Sequence, residues 1–430
     1  MFIRYLTVFI LFIISCVHGH DFNIVSIYDL LKNRPDIEYI QCHDAQPFKH
    51  TPFPLSKFPE LQPNKGLFAP TFITKIPNGQ ACSVQGWIKV DNTIIQEFIP
   101  TCHPLGFTIL SLQKQPFQNL KKITGKVAVI TSKLDIYYSH WMYNILGRLA
   151  LLESSGIEYD WLYVACDKPY MKESFALWGI DSSKLLDPLK DYQYIQADEL
   201  IVPSHIGVRM PEPDQYPLNW IPLELYAPRW GLDPNTIKMI PNIPLPTDTL
   251  PNNISIKDCF LRWAPLCGSY FYPWVVEYTK NRLLPCIENK SFKKISEKIF
   301  ISRKDAKIRN MTNEDEIFQL FEPYGFVRYN LANISLLEQI ALFHNAKIIV
   351  AAHGTGLANL IFCKPDTTVI EIFQARSDCC FYYLSQLMGL DHHCIQTMDF
   401  TNDIEGNINT TVPLFIIQNF ITNNKQLFND

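Results

Sequence analysis

Residues 348–359 read IIVAAHGTGLAN, and this stretch decides the fold class. The run Ile348 to Ala352 predicts a buried parallel strand, because only a strand covered on both faces is apolar throughout. Residues 353–356 turn the chain directly into a helix predicted over 357–362. Glycines at such a turn let the backbone approach a ligand, and the first N–H groups of the helix can bind a diphosphate. The dinucleotide fingerprint Gly-x-Gly-x-x-Gly is not met, since Asn359 occupies its last position, and an ordinary strand-to-helix turn explains the pattern equally well.

The sequence on either side of this stretch alternates between short apolar runs and amphipathic segments. In the C-terminal half, strands are predicted at 298–301, 326–328, 369–373 and 393–395, with helices at 312–321, 335–344 and 377–388. In the N-terminal half, strands at 127–130, 161–165 and 199–202 alternate with helices at 138–153, 171–178 and 270–284. This alternation is typical of βα units on a parallel sheet with helices on both faces, so the predicted fold class is α/β.

A proline-rich stretch from 211 to 251 separates the two α/β halves. We therefore predict two Rossmann-like, doubly wound domains, at 120–285 and 286–400, that face a central cleft. Residues 20–119 are predicted to form an irregular extension with short strands, and residues 401–430 a C-terminal tail. Ligands of doubly wound sheets bind beyond the carboxyl ends of the strands, and in this arrangement also between the domains.

Residues 1–19 predict a signal peptide or a short anchor. Arg4 precedes an almost unbroken apolar run from Tyr5 to Val17. Such a run suits the apolar core of a signal peptide, whereas a membrane-spanning helix needs about 20 residues. Cleavage after Gly19, lipidation of Cys16 and retention as an anchor are the alternatives. Membrane contact is expected at most through this segment. The expected location is the secretory pathway (the ER or Golgi lumen, or outside the cell) in a eukaryote, and the periplasm or cell envelope in a bacterium.

The composition excludes several function classes. Of the 430 residues, 47% are hydrophobic and 13% aromatic, and the formal net charge is −4. A protein built to grip nucleic acid needs a basic face, so no nucleic-acid partner is predicted. High apolar content with a low net charge excludes intrinsic disorder. A folded enzyme or binding protein remains.

Cysteines and sequons are less informative. Core packing explains most of the 12 cysteines, and in an oxidising compartment the candidate bridges join Cys82 with Cys102, and Cys259 with Cys267 or Cys286. No cysteine or histidine spacing fits a structural zinc site, and Asp378 and Asp391 look isolated, so the sequence is compatible with a divalent metal but does not indicate one. Asn-x-Ser/Thr sequons begin at five positions: Asn253, Asn289, Asn310, Asn333 and Asn409.

His140, Asn144 and Arg148 are spaced by four residues on the predicted helix 138–153. This spacing places them along one polar stripe. An ordinary surface helix has the same pattern beside an apolar face, and that interpretation needs no function. The alternative places the stripe in the ligand cleft, since the loop of this strand–helix unit is expected to face it.

Three charged residues in the C-terminal half are further candidates. Arg303 follows the predicted strand 298–301 and is expected to point into the ligand crevice, where an arginine can pair with phosphate; Lys304 and Arg309 are nearby substitutes. Glu371 lies within an apolar strand and needs a partner there, either sugar hydroxyls or a structural arginine. Glu338 has capping-box spacing from Ser335, which is the preferred interpretation, with hydroxyl binding as the alternative.

Taken in order, four segments resemble the glycosyltransferase family 61 domain. They are SHWMYNILGRL at 139–149, ISR at 301–303, SLLEQ at 335–339 and AHGTGLANL at 352–360, and VIEIF at 369–373 fits the strand that usually follows. The similarity covers about residues 120–400. The resemblance implies an inverting transferase with a GT-B-like fold and a nucleotide-sugar donor, a UDP-sugar in the first place. Family members add xylose, arabinose or N-acetylglucosamine to glycans or glycoproteins, so a glycan or glycoprotein acceptor is expected.

The same resemblance suggests a role for each candidate residue. The donor would lie on the C-terminal domain, with its phosphates and sugar contacted by Arg303, His353, Gly354, Thr355, Gly356 and Asn359, and its hydroxyls held by Glu371 or Glu338. His140 would be the base that takes the proton of the acceptor hydroxyl, because its ordinary pKa of about 6.5 suits that role. Asn144 and Arg148 would lie on the acceptor side.

The chain departs from the family pattern at three positions. The family often has Asp where this chain has Asn144, Pro where it has Gly147, and Ala where it has Thr355. The change at Asn144 is the serious one, because it removes a carboxylate from the helix expected to face the cleft. If that Asp were the base, this protein would be impaired or would use another group. The alternative function is therefore a catalytically degenerate, glycan- or nucleotide-binding protein.

Overall fold

The computed structural model describes residues 23–55, 65–82, 86–98, 120–132, 137–207, 209–210, 221–222, 262–263, 271–292, 295–374, 378–397 and 408–428. The predicted leader, most of the proline-rich stretch, Asn253 and the cysteines Cys102, Cys259 and Cys267 lie outside these ranges. Cys286, a proposed bridge partner, is a thiol that contacts the carbonyls of Leu177 and Arg282. Across the described ranges, no helix has both the length and the apolar character needed to cross a bilayer.

Twenty strands and nine α-helices make up the described part of the chain. The strands are β1 Asn23–Val25, β2 Glu38–His43, β3 Gln46–Lys49, β4 Lys65–Phe68, β5 Thr71–Pro77, β6 Gln80–Cys82, β7 Trp87–Val90, β8 Thr93–Ile95, β9 Lys121–Val129, β10 Trp161–Tyr163, β11 Leu185–Leu186, β12 Tyr194–Pro203, β13 Arg209–Met210, β14 Ile221–Pro222, β15 Arg262–Trp263, β16 Lys298–Ile301, β17 Val327–Tyr329, β18 Ile348–Ala352, β19 Thr368–Phe373 and β20 Asp391–Gln396. The helices are α1 Ile27–Asn33, α2 Tyr138–His140, α3 Leu146–Ser155, α4 Pro169–Trp178, α5 Pro273–Leu283, α6 Glu314–Phe321, α7 Leu336–Asn345, α8 Cys380–Met388 and α9 Leu414–Asn423. Short 3₁₀ helices include Leu331–Asn333 and Thr355–Phe362.

The C-terminal sheet is parallel and covered on both faces. Its five strands lie in the order β17-β16-β18-β19-β20, which is 2-1-3-4-5 in chain order and is one of the common doubly wound arrangements. All five residues of β18 are buried. Val350 packs with α6 and α9 on one face, and Ile349 packs with α7, α8 and the 3₁₀ helix on the other. The prediction of a doubly wound parallel sheet is confirmed for this half.

Residues 408–428, predicted as a C-terminal tail, pack against this sheet. Helix α9 buries Ile417 and Ile421 against the face that α6 also covers, and Phe428 packs against Phe321 and Phe326. A sheet in the 2-1-3-4-5 order leaves room on that face for a helix after the last strand, and α9 fills it.

The N-terminal sheet also has a parallel part. Strands β11-β10-β9-β12 run parallel in the order 3-2-1-4, the order found in one half of the dinucleotide-binding fold. Strands β5 and β6 then add to β12 in the antiparallel direction, with Leu200 opposite Ile76. The residues predicted as an irregular extension therefore continue this ten-stranded sheet, and no structural boundary falls at residue 120. The sequence does not predict the pairing of β5 and β6 with β12, because these strands lie more than 100 residues apart.

A continuous apolar cluster and several hydrogen bonds join the two sheets. The Tyr143 hydroxyl donates to the carbonyl of Ala358 at 2.7 Å, and the Glu173 carboxylate accepts from the Leu336 N–H at the start of α7. His50, from the N-terminal extension, stacks on Tyr383 of α8 with ring centroids 4.6 Å apart. The two α/β halves are therefore in direct packing contact.

The predicted helix 138–153 contains a π-helical turn, Trp141–Ile145, between α2 and α3. A π-turn has more residues than an α-turn, so the side chains after it are rotated out of the polar stripe. Arg148 is only 1% exposed and donates to the carbonyls of Val129, Thr131 and Pro203 at 2.7–3.1 Å. The predicted acceptor-side position of Arg148 is therefore wrong; its guanidinium ties together the carboxyl ends of β9 and β12.

We expect Arg148→Met to destabilise the protein strongly. The methionine fills similar volume but removes the guanidinium donors from three backbone carbonyl groups, which should lower the free energy of unfolding by roughly 3–5 kcal/mol. Urea denaturation followed by circular dichroism measures this change. The control is Arg328→Met: Arg328 forms a surface ion pair with Asp315, and its loss should cost about 1 kcal/mol or less. Equal losses in the two variants would contradict the structural role of Arg148.

Candidate functional site

The crevice of the C-terminal sheet opens where the connections from neighbouring strands diverge. Strand β16 leads to α6 on one face, and β18 leads to the 3₁₀ helix Thr355–Phe362 on the other face. Ile301 and Ala351, near the ends of these strands, lie side by side in the sheet. Doubly wound sheets bind ligands at such a switch point, beyond the carboxyl ends of the strands. Arg303 and Gly354 follow directly there.

Arg303 lies across the backbone of Gly354. A Cβ atom placed on Gly354 would come within 1.7 Å of Arg303 Nη1 and 2.7 Å of its Cζ. The backbone of Gly354 is extended, with φ at 172°, so any residue could adopt it and glycine is needed here for space alone. Two residues about 50 positions apart in the sequence are therefore in contact, with the guanidinium packed directly on the glycine backbone.

The loop after β16 holds this guanidinium in place. Arg303 Nε donates to the carbonyl of Arg309 at 3.3 Å, Nη2 donates to that of Ile308 at 3.2 Å, and the backbone N–H donates to Glu314 at 2.8 Å. Burial lowers the pKa of Arg303 from its ordinary value, which is high enough that the group stays cationic. Lys304 instead pairs with Asp315 at 2.6 Å on the surface. Of the candidates considered, Arg303 is thus the one positioned over the glycine turn.

The turn itself offers backbone donors beside the cation. The first N–H groups of a helix have no carbonyl partner within it, so Thr355 and Gly356 can donate to a bound anion. Gly356 is also constrained by space, because a Cβ there would lie 2.9 Å from Leu331 Cδ1. A cation and outward-facing N–H groups at one crevice can bind a phosphate or diphosphate group.

His353 is held in one orientation by a buried carboxylate and two rings. Its Nδ1 donates to Glu371 at 2.6 Å, and its ring lies 5.3 Å from that of Phe373 and 5.7 Å from that of Phe381. The other Glu371 oxygen lies 3.0 Å from His392 Nε2, and the Ser385 hydroxyl contacts His392 Nδ1 at 2.7 Å. Since Nδ1 is engaged, Nε2 is the ring nitrogen of His353 that is available to other groups.

The predicted hydroxyl-binding role of Glu371 is not supported by its position. Glu371 is 0% exposed, so it does not line the crevice, and its partners are two histidines, not a sugar or an arginine. Burial raises the pKa of Glu371, and the hydrogen bond from His353 opposes that shift. Its function in the site is to orient His353.

Asn359 and Glu338 also have structural positions. Asn359 is 0% exposed; its Oδ1 accepts from Tyr138 at 2.6 Å, and its Nδ2 donates to Gln339 and to the carbonyl of Gly356. It links the two halves beneath the turn through these hydrogen bonds. Glu338 closes the predicted capping box with Ser335 at the start of α7, which is the interpretation preferred from the sequence.

A carboxylate and a thiol lie beside His353, and sequence reasoning missed both as possible metal ligands. His353, Asp378 and Cys380 each present a ligand atom within 4.8 Å of the others, and all three residues are buried. The Asp378 carboxylate accepts from the Cys380 N–H at 3.1 Å, just before α8. The strand pattern predicts only that His353, after β18, and Asp378, after β19, lie at the same edge of the sheet; it does not predict that their side chains meet.

On the N-terminal side, His140 and Asn144 remain together. Asn144 Nδ2 lies 3.1 Å from His140 Nδ1, and α2 packs against the 3₁₀ helix that follows the glycine turn. Asn144 is partly exposed, whereas the aromatic and aliphatic residues of the π-turn are buried. The hydrogen-bonded pair therefore lies on the side of the N-terminal half that meets the C-terminal site.

A cation, backbone donors and an oriented histidine thus lie together at the switch point of a doubly wound sheet. The chain belongs to the Glycosyltransferase 61 family, whose sequence pattern it matches over residues 138–370, more than half of its length. It is similar to the EGF domain-specific O-linked N-acetylglucosamine transferases of Xenopus laevis (27% identical over 100 residues), Mus musculus (24% over 100) and Drosophila melanogaster (26% over 103). Each match covers 22–23% of this chain and 19–20% of the relative.

We expect Gly354→Ala to abolish anion binding without unfolding the protein. The added methyl would overlap Arg303 Nη1, so the flexible arginine must leave the turn while the extended backbone stays as it is. Isothermal titration with pyrophosphate should show at least a tenfold loss of affinity, with the free energy of unfolding changed by about 1 kcal/mol or less. Thr368→Ala, at the opposite end of β19, is the control and should bind as the wild type does. Unchanged affinity in Gly354→Ala would contradict this assignment.

Proposed function

We propose that this protein is an inverting glycosyltransferase that moves a sugar from a nucleotide-sugar donor, a UDP-sugar in the first place, to a glycan or glycoprotein acceptor. The observation that carries the proposal is the guanidinium of Arg303 packed on the backbone of Gly354 at the switch point of the C-terminal sheet. Family membership supports the transferase class. The sheet orders 3-2-1-4 and 2-1-3-4-5 support a GT-B-like pair of nucleotide-binding-type units.

The donor half of the reaction needs charge stabilisation at the leaving group. When the bond between the anomeric carbon and the diphosphate oxygen breaks, its electron pair stays on that oxygen as developing negative charge. Arg303 and the N–H groups of Thr355 and Gly356 supply a cation and dipoles for that charge in a site already assembled before the reaction. Arg303 is held by Ile308 and Arg309 carbonyls, so little reorganisation is needed during the reaction.

The acceptor half needs a base on the opposite side of the sugar. The acceptor hydroxyl gives its proton to this base as its oxygen forms a bond to the anomeric carbon, and attack opposite the leaving group inverts the configuration. His140 is the proposed base. The helix α2 that carries it packs against the 3₁₀ helix of the donor turn, which supports placement near the donor.

The acceptor class follows from the relatives. Those transferases are named for adding O-linked N-acetylglucosamine to EGF domains, which favours a glycoprotein acceptor and an N-acetylglucosamine donor for this chain as well. We also propose the secretory route predicted from residues 1–19. Glycosylation of the exposed sequon asparagines Asn289 and Asn333 would be consistent with that route.

Removing the cation should abolish transfer. In a mass-spectrometric screen of UDP- and GDP-sugars with EGF-domain and glycan acceptors, Arg303→Gln is expected to lower kcat/KM by about 10²–10³, the range seen when one stabilising donor is lost. Arg303→Lys should retain part of the activity, since it keeps the charge but not the planar geometry. Lys304→Gln, at the neighbouring surface ion pair, is the control and should retain full activity. Full activity in Arg303→Gln would overturn the donor-site assignment.

Asn144 favours the alternative, a degenerate nucleotide- or glycan-binding protein. In the structure the Asn144 amide nitrogen faces His140 Nδ1 at 3.1 Å. When an amide donates to Nδ1, the ring proton lies on Nε2, and Nε2 then has no lone pair with which to take the proton of the acceptor hydroxyl. A carboxylate at residue 144 would instead accept from Nδ1–H and leave Nε2 as the basic nitrogen.

Asn144→Asp should therefore increase transfer. The expected gain in kcat is about tenfold or more, with the 10²–10⁴ that a general base typically contributes as its upper range, and with little change in donor affinity. Asn345→Asp, a solvent-exposed change on α7, controls for added negative charge. A gain only in Asn144→Asp supports His140 as base and an impaired wild type. An equal or smaller rate than the wild type would show that His140 does not act through residue 144.

A further inference from the structure

We propose that His353, Asp378 and Cys380 form a binding site for one divalent zinc-class metal ion. Each of the three residues presents one ligand atom, these atoms lie within 4.8 Å of one another, and all three residues are buried. A nitrogen, a carboxylate oxygen and a sulfur form the ligand set that zinc prefers, and magnesium and calcium prefer oxygen alone. Zinc is therefore the ion whose chemistry fits this cluster.

The second observation is the way His353 is held. Metal-binding histidines almost always donate their other ring N–H to a carboxylate, which sets the tautomer and the ring orientation. Here Nδ1 donates to the fully buried Glu371 at 2.6 Å, and Phe373 and Phe381 flank the ring. Nε2 is thereby left as the unprotonated nitrogen that a metal needs. Glu371 is a positioning residue in this arrangement and does not contact the ion.

The backbone brings the other two ligands to the same place. Asp378 and Cys380 stand at the start of α8, just beyond the end of β19, and His353 stands at the end of the adjacent strand β18. Asp378 accepts from the Cys380 N–H, which fixes the two residues relative to each other. A tetrahedral zinc ion with bonds of about 2.0–2.3 Å would draw its ligand atoms to roughly 3.5 Å from one another, a shift that side-chain rotation supplies.

The charges balance when the metal binds. The ion displaces the proton of the Cys380 thiol, which is released to solvent, so a +2 charge meets one thiolate and one carboxylate. The resulting neutral complex is compatible with burial, whereas an isolated buried charge is not. Three protein ligands leave one tetrahedral position, for water or, if the proposed function holds, for a diphosphate oxygen of the donor bound at the neighbouring Gly354 turn.

The test uses the full chain, stripped of metal by a chelator and titrated with Co²⁺ and Zn²⁺. We expect one equivalent to bind and Co²⁺ to give the thiolate-to-cobalt charge-transfer absorption. Cys380→Ser should lose that absorption and at least tenfold in Zn²⁺ affinity, and Asp378→Asn should weaken Zn²⁺ binding while keeping the absorption. Cys379→Ser is the matched control: the neighbouring cysteine lies outside the cluster and its loss should change neither.

The outcomes separate this proposal from the proposed function. The metal site would be overturned if the wild type bound no more metal per chain than Cys380→Ser does. A cobalt absorption that survives this substitution would also overturn it. If Cys380→Ser does not fold, the Zn²⁺ affinities of Asp378→Asn and His353→Gln test the same proposal. Wild-type Zn²⁺ affinity in both variants would overturn the metal site. UDP binding, measured by titration with and without metal, reports separately on the donor site. Metal binding without nucleotide binding would contradict the proposed function alone, and nucleotide binding by a protein that takes no metal would contradict this proposal alone.

Discussion

The burial of strand β18 on both faces is the constraint on which the rest of the structure depends. Five consecutive apolar residues can be removed from water only if helices cover the sheet on each side. The connections from β16 and β18 must then leave toward opposite faces, and a crevice opens between their ends. The cation, the glycine turn and the oriented histidine all lie at this crevice because it is the place where backbone ends are not covered.

Polar groups behind the crevice are arranged to support it. Arg303 is held by backbone carbonyls of its own loop, and His353 is held by Glu371, which in turn faces His392. None of the supporting groups needs to touch a ligand. This explains why a carboxylate in the middle of an apolar strand is tolerated: Glu371 is hydrogen-bonded to His353, and its second oxygen lies 3.0 Å from His392 Nε2.

Sequence reasoning recovered the elements and part of the site, and its failures have physical causes. Arg303 and the glycine turn were found because residues at the ends of parallel strands are predictable from the strand pattern. Arg148 was placed on a surface stripe because a π-turn leaves no mark in residue spacing, yet it rotates everything after it. Asn359 and Glu371 were taken for ligand contacts because a polar residue in an apolar segment has the same appearance whether its partner is a ligand or another side chain.

Short-range periodicity and ordered local motifs are enough to predict the α/β class, most strand and helix positions between residues 120 and 400, the capping box and the family. The tertiary structure was needed to show that the N-terminal extension adds strands to the first sheet and that helix α9 covers one face of the second. It also decided that His353, Asp378 and Cys380 meet. The strands that pair are more than 100 residues apart in the sequence, and the three side chains span more than 20 residues. Contacts at such separations depend on how the folded surfaces pack, and local sequence patterns carry no information about that packing.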